Sequence, residues 1–235
     1  MLTLLSHSGG SGFYSYSMFC TKAAYLLQMS GEAWQREDFQ DLSAMPHGKL
    51  PVLRDGDALI PDSEIIRRFL EGRGADFDPG LSAAQKAESR LLIRWIDESL
   101  WAQLVTARWH DAGGWAQMRE TVFAPAPDHV ADGFRSGVEA GLHFLGITRF
   151  GKAERLLRLH QDLAALQTRL GDQPFLFGGQ VTAADCSAAP MIEALSRPPA
   201  DPEVVAAAQS FPALLAYAGR VAEALPLEMP AAAAA

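Results

Sequence analysis

Two apolar runs of strand length, LPVLRD and ALIPD, stand on either side of Gly56 and Asp57, and a helical pattern follows at once. The runs predict a β-hairpin, since short apolar segments flanking a Gly-Asp pair favour a tight turn. Ile65, Ile66, Phe69 and Leu70 then repeat at helical spacing, and Ser63 stands directly before them. Its hydroxyl is expected to cap the freed N–H groups of that helix. Pro51 has no ladder donor, which restricts it to a strand entrance or an edge. A rigid strand-entry proline facing a helix start that carries Asp62 and Ser63 makes a small-ligand grip, because helix N-terminal N–H groups receive carboxylates well.

The same reading extends along the chain. LTLLSH predicts a first strand, and the loop SGGSGFYSY follows it. Ser17 opens a helical run with apolar residues at Phe19, Ala23, Leu26 and Leu27 and a stop at Gly31. WQREDF alternates as a second strand, and a loop containing MPHGK leads to the hairpin. The order β-α-β, β-β-α suits a four-stranded mixed sheet with helices on its faces. Residues 71–82 are turn-rich, with three glycines and a proline.

Beyond them AAQKAESRLLIRWIDESLWAQLVTARW is helical in period and has neither Gly nor Pro. Residues 111–127 are expected to be less regular, broken by Gly113, Gly114, Pro125 and Pro127. Helices are expected over residues 129–145 and 152–170, after VTAAD, and over 211–225, with a frayed PAAAAA tail. The predicted organisation is an α/β domain over residues 1–75 and an all-helical domain over 83–235.

Bulk properties narrow the function. With 235 residues, 49% of them hydrophobic, the chain can bury a sizeable core. No apolar run approaches the roughly 20 residues of a membrane helix, and the N-terminus has no basic leader. A net charge of −8 argues against a nucleic-acid partner, which needs a basic face. Cys20 and Cys186 are too few for a disulfide framework or a cysteine-based zinc site, and the six histidines show no metal-ligand spacing. A soluble cytoplasmic protein without metal or integral membrane association is the expectation.

Ser17, Met18, Phe19 and Cys20 lie where an exposed loop meets a helix N-terminus, a place that stabilises anions. A thiolate bound near Ser17, or that of Cys20 itself, gains from the location. Equally, Ser17 is an ordinary cap and Cys20 a small core hydrophobe. In the second half, Thr182 and Asp185 have the spacing of a capping box, with Asp in place of the usual Glu or Gln. Val181 and Cys186 are placed as its hydrophobic staple. Asp185 is expected to be buried, and its loss to cost about 1–2 kcal/mol or more.

The succession of strand, S-x-F-C at a helix start, strand, K-L-P-V at a third strand and D-S at the next helix resembles the glutathione S-transferase superfamily. LTLLSHSGGSGFYSYSMFCTKAAYLLQMSG looks in particular like the subgroup of metaxins and failed-axon-connections proteins, which have a long loop before S-P-F-C-x-K. The resemblance implies a thioredoxin-like N-terminal domain, an all-α C-terminal domain and, usually, a homodimer. It implies glutathione as co-substrate and no metal. It makes Pro51 a cis-proline, Leu50 the backbone partner of the cysteinyl part, and Asp62 and Ser63 the pair that holds the γ-glutamyl end. Lys49 becomes a partner for the glycyl carboxylate. Ser17 takes the position next to the sulfur, with Cys20 second and Tyr14 or Tyr16 as phenol alternatives.

Met18 departs from the subgroup's proline. Ser17 stands where related proteins have the first Cys of C-x-x-C, so a dithiol cycle is unavailable. Arg108, Trp109, Trp115, Arg119 and Phe123 are candidates for an electrophile site, or else ordinary helix packing. The implied function is a glutathione-dependent transferase or peroxidase acting on a small electrophile. The alternatives are a non-enzymatic interaction protein of metaxin type, such as those that serve protein import, and a Cys20-based glutathione redox protein.

Overall fold

The computed structural model describes residues 1–10, 12–124 and 126–229. Ser11 of the first loop, the break expected at Pro125 and the tail expected to fray after Met229 lie outside the described residues. The chain forms two compact units, one of residues 1–90, 174–190 and 219–235, the other of 91–173 and 191–218.

The first unit is built on a sheet of order β2-β1-β3-β4. β1 (Leu2–Ser6) is buried along its whole length, as a central strand covered on both faces must be. It pairs in parallel with β2 (Trp34–Asp38) and antiparallel with β3 (Val52–Asp55), which pairs antiparallel with β4 (Ala58–Pro61). Pro61 sits on the edge strand, where a missing donor costs no ladder bond. This is the mixed four-stranded arrangement expected of a thioredoxin-like domain. α1 (Met18–Ser30) turns Cys20, Ala23, Ala24 and Leu27 into the core and ends at Gly31, whose φ of 70° suits a residue without Cβ. α2 (Ser63–Gly72) buries Ser63, Ile66 and Leu70.

The long Gly- and Pro-free segment is helical throughout: α3 (Ala83–Trp95), a π-helical stretch Ile96–Leu100, α4 (Trp101–Val105) and a second π-helical stretch Thr106–His110. Within residues 111–127 the first part corrects the expectation of irregularity, for α5 (Ala112–Glu120) runs through both glycines, while residues 121–124 are turns as expected. A Cβ on Gly114 would lie 1.8 Å from the Ala107 carbonyl oxygen, so this glycine permits close helix approach and breaks nothing. α6 (Asp128–Leu145) and α7 (Lys152–Leu170) follow, then α8 (Ala183–Leu195), α9 (Pro202–Gln209) and α10 (Pro212–Ala224). The apolar pattern does not single out α9, which starts from an Asp201 cap and a Pro at its first position. In the second unit Arg155 pairs with Asp111, and Lys152 bridges Asp201 and Glu203. Among the described residues no single helix is long and apolar enough to cross a membrane, though the pair α9 and α10, bent by 86°, passes on composition.

At the start of α8, Asp185 is fully buried. Its carboxylate accepts from the Thr182 N–H at 2.7 Å, the Thr182 hydroxyl at 2.8 Å and the Leu176 N–H at 2.9 Å. The Thr182 hydroxyl therefore donates to the acid instead of capping the helix itself. Cys186 places its sulfur 3.3 Å from that of Met29, and burial pushes its thiol far up.

Candidate functional site

Ser17 caps α1 in extended geometry, φ −97° and ψ 116°, and its Oγ accepts from the Cys20 N–H at 3.4 Å. Its own N–H donates to Ser15 Oγ at 3.1 Å, and the Ser15 hydroxyl donates to the His7 carbonyl at 2.8 Å. The cap uses the oxygen as an acceptor, and a hydroxyl so placed can also donate to an anion at the helix start.

The loop before Ser17 is tied down by a residue that sequence reasoning missed. Arg36 on β2 donates to the carbonyls of His7 and Tyr14, lies 4.1 Å from the Tyr14 ring centroid and bonds Asp38 at 2.6 Å. Strand alternation was the available signal, since it puts Arg36 on the face of Trp34, where a charge needs partners. His7 is held below the ordinary histidine value of 6.5, by burial first, against an opposing pull from Asp38. The native state thus takes up a proton less readily than the unfolded chain. This contribution to stability is complete above about pH 6.5 and is lost as pH falls through the lower native value. Unfolding midpoints should drop between about pH 7 and pH 5, and His7→Asn should flatten that slope. Identical profiles for the two proteins would contradict the assignment.

Cys20 corrects its expected role as second catalytic choice. It is fully buried in a cluster with Leu5, Leu50 and Val52, and desolvation pushes its thiol up, so no reactive thiolate is offered. Tyr14 is likewise buried, and its hydroxyl has no hydrogen-bond partner among the described residues. Burial pushes its phenol far up, which removes it as a phenol for the sulfur. Tyr16 is half-buried, edge-on to Phe13 with ring centroids 4.9 Å apart.

The Leu50–Pro51 peptide is cis. Leu50 packs in the same buried cluster as Cys20, which sets this loop beside the first turn of α1. The Pro51 carbonyl accepts from the Asp62 N–H at 3.1 Å, so the loop is also bonded to the start of α2. Asp62, and not Ser63, is the cap of that helix: its side chain accepts from the Glu64 N–H at 2.8 Å. Its φ of 70° is unusual for a residue with a side chain and costs about 1–3 kcal/mol. Ser63 is the first helical residue and is 3% exposed. Glu64 pairs with Arg90 and stands 4.0 Å from the Lys22 ammonium on α1. Lys49 is exposed just before this loop. Ser17, Leu50, Pro51, Asp62 and Ser63 thus belong to segments joined to one another by named contacts within one unit.

Trp109 and Trp115 stack at 5.8 Å in the second unit, with Phe123 packed against both. Arg135, from α6, lies 4.9 Å from the Trp115 ring and donates to the Trp109 carbonyl. Arg119 is spent on the Phe123 and Ala126 carbonyls and on Asp128. Arg108 is 8% exposed, which favours helix packing over a place in an electrophile site. Within this unit the aromatic group is a packed cluster, as ordinary helix packing predicts. No group of three or more metal-ligating side chains occurs among the described residues.

A fold of this kind, with a cis-proline loop joined to two helix starts, defines a thioredoxin-like domain in a chain that also has a helical domain. The family model for the glutathione S-transferase N-terminal domain matches residues 18–113, and that for the C-terminal domain matches residues 150–220. The chain belongs to the glutathione S-transferase superfamily. It is 29% identical over 199 residues to isoprene-epoxide–glutathione S-transferase of Rhodococcus sp. (strain AD45), covering 80% of this chain and 83% of that protein. It is 27% identical over 191 residues to metaxin-1 of Mus musculus, covering 75% of this chain and 60% of the metaxin. Among solved structures, the beta-etherase LigF of Sphingobium sp. strain SYK-6 has a TM-score of 0.65 at 19% identity, with 94% of each chain covered. A rice glutathione S-transferase in complex with glutathione has a TM-score of 0.60 at 16% identity, covering 98% of this chain and 92% of that one. At such identities these two establish the fold alone.

Proposed function

We propose that the chain binds glutathione in its first unit and activates the thiol for attack on a small electrophile, an epoxide being the class named for the Rhodococcus relative. The observation that carries this reading is the linkage of the Leu50–Pro51 loop to the start of α2 through Asp62 and to the first turn of α1 through Cys20. In this reading the γ-glutamyl carboxylate meets the Ser63 N–H and hydroxyl at the α2 N-terminus. The ammonium meets Asp62, whose second carboxylate oxygen is not used by its cap to Glu64. The Leu50 backbone holds the cysteinyl part and Lys49 the glycyl carboxylate.

The sulfur then lies at Ser17, whose hydroxyl donates to the thiolate and lowers its pKa. The thiolate forms a C–S bond at an epoxide carbon, the C–O bond breaks, and the released alkoxide takes a proton from water. Ser63→Ala should raise KM for glutathione about tenfold and leave kcat nearly unchanged, the pattern of lost ground-state binding. Steady-state kinetics with an epoxide checks this; an unchanged KM would count against the site.

The metaxin similarity supports a second reading, a binding protein of the same fold without turnover. The redox reading through Cys20 loses its support with the burial of that thiol.

A further inference from the structure

The loop between β1 and α1 has little in its own sequence to hold a shape. HSGGSGFYSY carries three glycines, which give up more backbone freedom on ordering than any other residue. Ser17 follows it directly and needs a fixed direction if its hydroxyl is to serve a thiolate. The helix fixes one side of Ser17, whose carbonyl accepts from the N–H groups of Cys20 at 3.1 Å and Thr21 at 3.2 Å. The other side is tied to the loop, through the bond from the Ser17 N–H to Ser15 Oγ.

The Ser15 hydroxyl passes the restraint inward. It donates to the His7 carbonyl, which also accepts from Ser6 Oγ at 2.9 Å and from Arg36 Nη2 at 3.1 Å. Nη1 of the same guanidinium donates to the Tyr14 carbonyl. Arg36 therefore ties both ends of the loop together, and it does so from β2, in register with Leu4 of the central strand. The two ends approach this closely because Gly9 has no side chain. A Cβ there would lie 2.3 Å from the Tyr14 carbonyl oxygen. The Tyr16 N–H adds a further rung to the Ser8 carbonyl at 2.9 Å. Asp38 and the Tyr14 ring hold the guanidinium itself in place. A planar fork of donors can span two carbonyls, whereas an ammonium is a single point.

We propose that Arg36 is a positioning residue for the Ser17 hydroxyl, acting through the His7 carbonyl and Ser15. The proposal rests on the reading of Ser17 as the donor to the glutathione sulfur. It adds that turnover depends on a side chain engaged with the loop and not with the sulfur. Misplacing a reacting group by 1 Å can cost on the order of 10²-fold, so a loosened loop should lower kcat about tenfold. KM for glutathione should stay within about twofold, because Leu50, Asp62 and Ser63 lie on other segments.

Steady-state kinetics with glutathione and an epoxide tests this on Arg36→Met, on Ser15→Ala and on each combined with Ser17→Ala. Each single variant is expected to lose about tenfold in kcat at nearly constant KM. Once Ser17→Ala has removed the hydroxyl, neither should cost more than about twofold further, since nothing is left to position. Arg36→Lys keeps the charge but reaches only one carbonyl, and should fall between Arg36→Met and the parent. Hydrogen exchange of the Ser17 and Tyr16 N–H groups should quicken about tenfold in Arg36→Met, with that of Glu64 at the α2 start unchanged. If Ser17→Ala itself leaves turnover intact, the glutathione reading of Ser17 fails and this proposal fails with it. If Ser17→Ala lowers turnover but Arg36→Met does not, or the two losses multiply, the positioning role alone is overturned. Full activity in Arg36→Lys would overturn it too, because charge and not the fork would then suffice.

Discussion

Ser17→Ala is expected to lower glutathione-dependent turnover by about 10²-fold, with little change in KM. One hydrogen-bond donor to a developing or resting anion in a preorganised site contributes on this scale. The Ser17 hydroxyl sits at the α1 N-terminus, where its oxygen accepts from the Cys20 N–H and its proton can donate to an anion brought to the helix start. Removing it should also move the pH–rate profile upward, because the bound thiol loses a partner of its charged form. Loss of the cap destabilises the helix by about 1 kcal/mol, which leaves the protein folded and the kinetics readable. Ser17→Thr keeps a hydroxyl and should recover most of the rate. Turnover within twofold of the parent, with an unshifted pH profile, would remove Ser17 from the chemistry.

Asp185→Ala should be among the most destabilising single substitutions in the chain, at about 3 kcal/mol or more. The buried carboxylate accepts three hydrogen bonds, and its removal strands the N–H groups of Leu176 and Thr182 and the Thr182 hydroxyl. Each buried unsatisfied group costs about 1–3 kcal/mol, well above the loss of a simple cap. Asp185→Asn retains one acceptor oxygen and should lose less. Urea unfolding checks the order, and an unchanged midpoint for Asp185→Ala would show that α8 does not depend on this acid.

Much of the first unit was legible because local rules and tertiary packing agree there. β1, the hairpin and α1 from Ser17 to Gly31 follow from alternation, turn residues and caps. The burial of Cys20 was present in the same pattern, since it shares the stripe of Ala24 and Leu27 on α1. Asp62 as the cap was not legible: Asp and Ser cap equally well, and only the Pro51 carbonyl bond and a φ of 70° choose between neighbours. Arg36 was missed for a related reason, because its targets are backbone carbonyls and leave no mark in side-chain pattern. Gly113 and Gly114 misled because a packing glycine and a breaking glycine look identical in one dimension. The cis-proline and the roles of Lys49, Leu50 and Asp62 came from the family resemblance, not from spacing.

The central claim is that the joined segments at Pro51, the α2 start and Ser17 form a glutathione site. Calorimetric titration of the purified chain with glutathione tests it most directly. The account predicts saturable binding of one glutathione per chain, weakened about tenfold by Ser63→Ala, as loss of a charge-assisted contact implies. No measurable binding to the parent protein would contradict it and leave the non-enzymatic reading standing.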